Sequence, residues 1–302
     1  MTPFVSPPLT PGGSAPGRDP APKGAPGLRC GGMTIEVIPP DLRRVFELEP
    51  HGADVWVGES PTYSRGRIYG GLVIAQALWA ATQTVNPAHA VHSLHAYFIL
   101  GGDPTEPVRY EVDRIRNGRS FTTRAVIARQ SSGAIFNLAC SFQRHEHGIE
   151  TQTADFPADA PDPTTVPIVA EGSGVERYDV PFADKPPRSL VWSRYPGPLN
   201  DDPRLHACAL AYVSDTNPMD AVAAAHPRGI PPTGQWEETF MSASLDHAMW
   251  FHRPVRADDW MLLDMTGHGI LRTRGLSTGH VFDTSGQHLA TIAQEGLLRE
   301  VS

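Results

Sequence analysis

The chain has 302 residues, with 25 basic and 33 acidic side chains and a formal charge of −8. No basic run exceeds two residues, so nothing resembles a nucleic-acid-binding face. The longest apolar stretch, about 12 residues at 70–81, is too short to span a bilayer.

Of 30 prolines and 28 glycines, 15 fall within residues 1–32, a stretch with no periodicity and few aliphatic side chains. It is expected to be a disordered extension, because it cannot offset its own ordering entropy. Met33 follows directly and is a candidate alternative start. The three cysteines, Cys30, Cys140 and Cys208, form no complete disulfide set and have no CxxC spacing. They suit reduced thiols in a cytoplasmic protein.

From 33 to 145 the pattern reads as one domain. Tyr69-Gly70-Gly71 opens an apolar helix, with Leu72, Ala75, Gln76, Trp79 and Thr82 along one face. Strand-like runs follow at 91–100, 107–116, 119–130 and 134–143. Residues 146–187 are acidic and Pro-rich, and read as a linker. The order then repeats over 188–302: a helix over Leu205–Asp215, then strands at 241–253, 260–269, 270–283 and 287–300. His95-Ala96-Tyr97-Phe98 echoes His247-Ala248-Met249-Trp250-Phe251. A helix followed by an antiparallel meander, present twice, predicts an α+β fold of two tandem hot-dog units.

Asp246 interrupts an apolar strand beside His247, His252 and Arg253. A carboxylate there is costly unless hydrogen-bonded, and the first repeat has Leu94 in its place. Asp246 is therefore either functional or a structural acid paired with Arg253 or a backbone amide. Gln294 lies in the last strand as an inward hydrogen-bonder or an edge residue. Thr266-Gly267-His268-Gly269 reads as a β-bulge or a close backbone approach. The arginines of Arg116-Asn117-Gly118-Arg119 are either solvated or phosphate-facing. No HExxH, Walker A, GxGxxG or GxSxG motif is present, and neither His92 with His95 nor His247 with His252 has metal-chelating spacing.

Asp246-His247-Ala248-Met249-Trp250-Phe251-His252-Arg253-Pro254, with Gln294-Glu295-Gly296 near the end, resembles the acyl-CoA thioesterase II (TesB-type) family. So do Tyr69-Gly70-Gly71, the 92–98 segment, Gly118-Arg119-Ser120-Phe121 and Ser141-Phe142-Gln143. The resemblance implies a double hot-dog fold and hydrolysis of acyl-CoA to fatty acid and CoA, with no metal or cofactor. It also implies a homo-oligomer, dimeric or tetrameric.

The family holds its attacking water with an Asp, a Thr or Ser, and a Gln. The Asp carries over to Asp246 and the Gln to Gln294, while the helix start at Gly70 and Gly71 is expected to receive the oxyanion. The hydroxyl is expected six or seven residues before Arg274-Gly275, where His268 and Gly267 stand; Thr266 is one step further out. A bulge could bring Thr266 into place, His268 could substitute, or the water site could be degraded. The last case would leave a non-hydrolytic acyl-CoA-binding or sensing module. A hot-dog hydratase using Asp246 and a His is a third alternative.

Overall fold

The computed structural model describes residues 29–30, 33–34 and 42–301, apart from 64–65, 168, 171, 183–185, 198 and 233. The chain divides into two compact units, Met1–Glu36 and Val37–Ser302. In the first, the described residues are Arg29–Cys30 and Met33–Thr34, paired antiparallel; the remainder of the N-terminal extension lies outside the described residues.

In the second unit each expected helix is accompanied by its meander. The first repeat contains β1 (Val55–Gly58), α1 (Gly70–Thr82), β2 (His89–Phe98), β3 (Val108–Asn117), β4 (Phe121–Gln130) and β5 (Gly133–Arg144). The second contains β6 (Glu176–Asp179), β7 (Arg188–Arg194), α2 (Pro203–Val213), α3 (Pro218–Ala224), β8 (Phe240–Ser244), β9 (Asp246–Phe251), β10 (Met261–Leu271), β11 (Arg274–Asp283) and β12 (His288–Glu300). In space the sheet runs β1-β3-β4-β5-β2, then β9-β12-β11-β10-β7-β6. The two halves have the same internal order and join edge to edge through β2 and β9, with Ala248 opposite His95 and Asp246 opposite Tyr97. One antiparallel sheet thus contains both repeats.

Alternation along the strands decides which face is filled. Met261, Leu263 and Met265 join the main core with Leu72, Ile74, Leu78, Leu210 and Tyr212 from α1 and α2, as period-two patterning requires. Gln76, polar in an otherwise apolar helix, is buried because its amide donates to the carbonyls of Val45 and Glu59 and its oxygen accepts from Tyr110. Cys140 and Cys208 are buried small residues, and burial pushes both thiols up.

The 146–187 segment carries more structure than a linker. Leu190, Trp192, Leu262 and Phe282 face away from the helices, and Phe156, Ala160, Tyr178 and Phe182 cover them. Trp192 donates its indole N–H to the Pro161 carbonyl at 2.8 Å. A handful of apolar residues scattered among prolines is enough to cap that outer face, but too sparse to register as an element in the sequence.

The turn between β10 and β11 also differs from expectation. Arg272 and Thr273 form it with φ of 49° and 66°, so a two-residue hairpin is closed without the usual Gly or Asn. The glycines at 267–269 mark a register shift inside β10. Gly267 lies against α3, where a Cβ would collide with the Ala221 carbonyl oxygen, whereas Gly269 has open space around it and φ +107°. Gly267→Ala is accordingly expected to cost about 1–3 kcal/mol from overpacking. Gly269→Ala should cost about 1 kcal/mol, from backbone strain alone. Urea midpoints at unchanged m-value measure both, and equal costs would contradict the close approach of α3.

Candidate active site

The pairing of β8 and β9 with β12 is irregular at one place. Ser244 lies opposite Gly296 and Ala248 opposite Ala293, so residues 245–247 face only 294–295. This is a β-bulge, and it changes which side chains point inward. On a regular strand Ser244 and His247 would face opposite ways. Here both reach Gln294: its Nε2 donates to Ser244 Oγ at 2.9 Å, and its Oε1 lies 2.5 Å from His247 Nδ1.

Asp246 closes the gap that the bulge leaves in the ladder. Its Oδ1 accepts the Glu295 N–H at 2.7 Å, in place of a strand carbonyl. That is the backbone-amide role anticipated as the structural alternative. Arg253 takes no part in it: its guanidinium donates to the His288 carbonyl at 2.7 Å.

The carboxylate next to Ser244 is Asp215, which the sequence pattern places at the last position of a helix. The helix ends earlier, at Val213, with Ser214 as its C-cap. Both residues beyond it turn toward the bulge. Ser244 Oγ donates to Asp215 Oδ1 at 3.4 Å, and Ser214 Oγ lies 2.9 Å from His247 Nε2. Gln294 donates from Nε2, so its carbonyl faces His247, and a carbonyl can only accept. His247 therefore carries its proton on Nδ1, and its Nε2 faces Ser214 Oγ, whose one proton is also within reach of the Ala211 carbonyl at 2.9 Å. Burial holds its pKa down at about 4, partly opposed by the Gln294 contact, so the ring is neutral near pH 7. The result is a directed line of hydrogen bonds from His247 to Gln294 to Ser244, with Asp215 one longer step beyond Ser244 and Ser214 behind the His247 ring.

Asp215 also abuts the start of α1. A Cβ on Gly70 would lie 2.6 Å from Asp215 Oδ2 and 2.9 Å from the Phe98 ring, and one on Gly71 would collide with the Tyr212 carbonyl. Only glycine lets the two helix ends and the carboxylate come this close. The N-terminus of α1, the positive end of its dipole, thus lies against the half-buried Asp215.

Thr266 and His268 are elsewhere. Gly267, between them, points inward at α3, so its two neighbours lie on the outer face, where both are exposed. The His268 ring is 2.6 Å from Thr278 Oγ1. The bulge in β10 falls after Gly267, one step too late to turn Thr266 inward. The structure brings together Gln294, Gly70 and Gly71 of the expected residues, places Asp246 beside them as a backbone clasp, and leaves Thr266 and His268 out. It adds Asp215, Ser244 and His247. A signal for Asp215 existed: Ser214-Asp215-Thr216-Asn217-Pro218 is a polar, Pro-terminated run that closes an apolar helix. For Ser244 there was none, since its inward direction depends on the bulge.

Sequence profiles of the acyl-CoA thioesterase N-terminal and C-terminal domains match residues 59–143 and 151–298. Human acyl-coenzyme A thioesterase 8 is 33% identical over 86% of this chain and 91% of its own length. Acyl-CoA thioesterase 2 of Haemophilus influenzae is 30% identical over 86% of this chain and 97% of its own. Among solved structures, an acyl-CoA thioesterase II (TesB2) from Mycobacterium marinum is 36% identical, with a TM-score of 0.72 over 86% of this chain and 97% of that one. A hot-dog-fold protein from Alicyclobacillus acidocaldarius superimposes with a TM-score of 0.71 at 17% identity, covering 85% and 97% of the two chains; that likeness concerns the fold alone. With both domain profiles matched in order and two relatives aligned over nearly their whole length, this chain belongs to the acyl-CoA thioesterase family and has its double hot-dog fold.

Proposed function

We propose that this protein hydrolyses the thioester of fatty acyl-CoA by direct attack of a water held between Asp215, Ser244 and Gln294. The single observation behind the site assignment is the line from Gln294 through Ser244 toward Asp215 at the N-terminus of α1. The 3.4 Å step from Ser244 to Asp215 is long for a hydroxyl–carboxylate bond, and a water donating to the carboxylate would replace it. Asp215 takes a proton from that water as its oxygen attacks the thioester carbon. The carbonyl oxygen becomes an oxyanion facing the first N–H groups of α1. Collapse breaks the C–S bond, and the proton on Asp215 passes to the departing CoA sulfur. Gln294 and Ser244 hold the water without exchanging protons with it, and His247 holds Gln294.

A binding-only module has less support. The case for a degraded water site was that His268 stood where a hydroxyl belonged, and Ser244 supplies that hydroxyl from another strand. We further place the protein in the cytoplasm as a homo-oligomer without nucleic-acid partners, acting in fatty acid metabolism. Support comes from the thiol chemistry, the acidic balance and the exposed Tyr97 and Trp250 on the sheet's outer face, where the repeats join. Among the described residues no helix is long and apolar enough to cross a membrane.

Asp215→Asn is expected to lower kcat for acyl-CoA by about 10²–10⁴ while the thermal midpoint stays near wild type. Ser244→Ala and Gln294→Ala should each cost about 10–10³. Asp246→Ala should do the reverse, keeping most activity but losing about 1–3 kcal/mol of stability with its amide clasp, whereas Asp246→Asn, which keeps an acceptor oxygen for the Glu295 N–H, should change both little. A catalytic collapse in Asp246→Asn with an unchanged midpoint would reassign the base to Asp246.

His247 adds a pH dependence of known sign. Its native pKa of about 4 lies below the ordinary value of 6.5, so the unfolded chain takes up the proton first. Stability should therefore fall as pH drops from about 6.5 to about 4. Urea unfolding of wild type and His247→Gln across that range measures it; a variant that keeps the full slope would contradict the buried neutral ring.

A further inference from the structure

At the other end of α1 the first repeat has a cavity. One residue past the helix C-cap stands Thr84, the place taken by Asp215 in the second repeat. The cavity measures about 570 Å³ and is lined by Thr84, His89, Arg114, Arg119, Arg124 and Arg144, among others, with no carboxylate on its walls. That volume is in the range of small-molecule sites.

Its charge is unusual in a protein whose balance is −8. Arg124 is buried, and its donors are all taken by neutral oxygens: the hydroxyl and carbonyl of Thr84, the carbonyls of Arg116 and Thr123, and the Asn117 side chain, at 2.6–2.9 Å. The guanidinium thus touches no carboxylate; Asp54, the acid that acts on it electrostatically, is bonded to the neighbouring Arg114. Arg114 is matched by Asp54 in a two-pronged pair at 2.8 Å. The exposed side chains of Arg119 and Arg144 have no carboxylate within ion-pair reach among the described residues. Gly118 makes the turn that presents Arg119: its N–H donates to the Phe121 carbonyl at 3.0 Å, and a Cβ would collide with that same oxygen. Buried His89 bonds the Arg119 carbonyl at 3.1 Å, while its Nδ1 has no partner in the protein. Three arginines without an ion-pair partner among the described residues, Arg119, Arg124 and Arg144, thus line one concave site.

We infer that this cavity is a second binding site, which takes a phosphate-bearing anion of nucleotide size. Arginines suit phosphate because their planar donors meet its oxygens in pairs. The helical part of α1, about 20 Å long by its 13 residues, separates this site from the catalytic end. Two sources share the required chemistry: a free nucleotide, or the phosphorylated end of a CoA thioester.

Calorimetric titration with adenosine diphosphate and with adenosine 3′,5′-bisphosphate tests the inference on the intact protein, without reference to thioester hydrolysis. Binding to wild type is expected, weakening as salt rises. The double variant Arg119→Ala, Arg144→Ala should bind at least about tenfold more weakly, while Arg109→Ala, on β3 outside the cavity, should bind as wild type does. Hydrolysis of an acyl-N-acetylcysteamine, which carries no phosphate, should be unchanged in the double variant and shows that the fold survives. If KM for acyl-CoA rises in that variant at constant kcat, the occupant is the substrate's own phosphate; if KM is unchanged while the nucleotide still binds wild type, the occupant is a free nucleotide. No binding to wild type at millimolar probe, or equal affinity in wild type and the double variant, would overturn the inference.

Discussion

The catalytic end depends on a single misfit in strand pairing. Three residues of one strand face two of β12, and this extra residue lets Ser244 and His247 flank Gln294 from the same side. The misfit has a cost, because a ladder N–H is left without its strand carbonyl. Asp246 offsets that cost by accepting the Glu295 N–H. The carboxylate that stands out in the sequence thus stabilises the geometry, while Asp215, reached through Ser244, is the base in the mechanism proposed above.

A neutral histidine is well suited to the middle of this line. A glutamine amide can flip, and its two ends are nearly the same size, so its orientation must be set from outside. His247 sets it by offering Nδ1–H to the Gln294 oxygen, with Ser214 fixing the other ring nitrogen. Full burial keeps the ring uncharged, so it neither competes for Asp215 nor becomes a donor at both nitrogens. The glycines at 70 and 71 play a complementary part, since any side chain there would push α1 away from Asp215 and Tyr212.

The fold was largely legible because it rests on periodicity. Strand alternation, two apolar helices and the repeat of His95-Ala96 in His247-Ala248 follow from which faces must be buried, and the structure agrees. What was not legible turned on single-residue shifts. Reading 241–253 as one continuous strand puts Ser244 and Asp246 on a shared face and His247 on the other; the bulge undoes that parity. The helix end was misplaced by two residues, enough to hide Asp215 inside α2. Thr266 and His268 were sought beside a glycine bulge that does exist, but it opens after Gly267 and leaves both on the outer face. The 146–187 segment reads as a linker because its contribution to the outer face comes from isolated residues such as Phe156 and Tyr178.

The central claim is that Asp215 and Gln294 act on the same water as one unit, Asp215 taking its proton and Gln294 fixing its position. Groups that act as a unit are strongly non-additive in their effects on rate. A double-mutant cycle on kcat for acyl-CoA hydrolysis, built from Asp215→Asn, Gln294→Ala and the combination, tests this directly. The account predicts that the double variant is about as slow as Asp215→Asn alone, because without the base a well-placed water gains little. Effects that multiply, so that the double variant loses the product of the two single factors, would show that the two residues contribute independently and contradict the account.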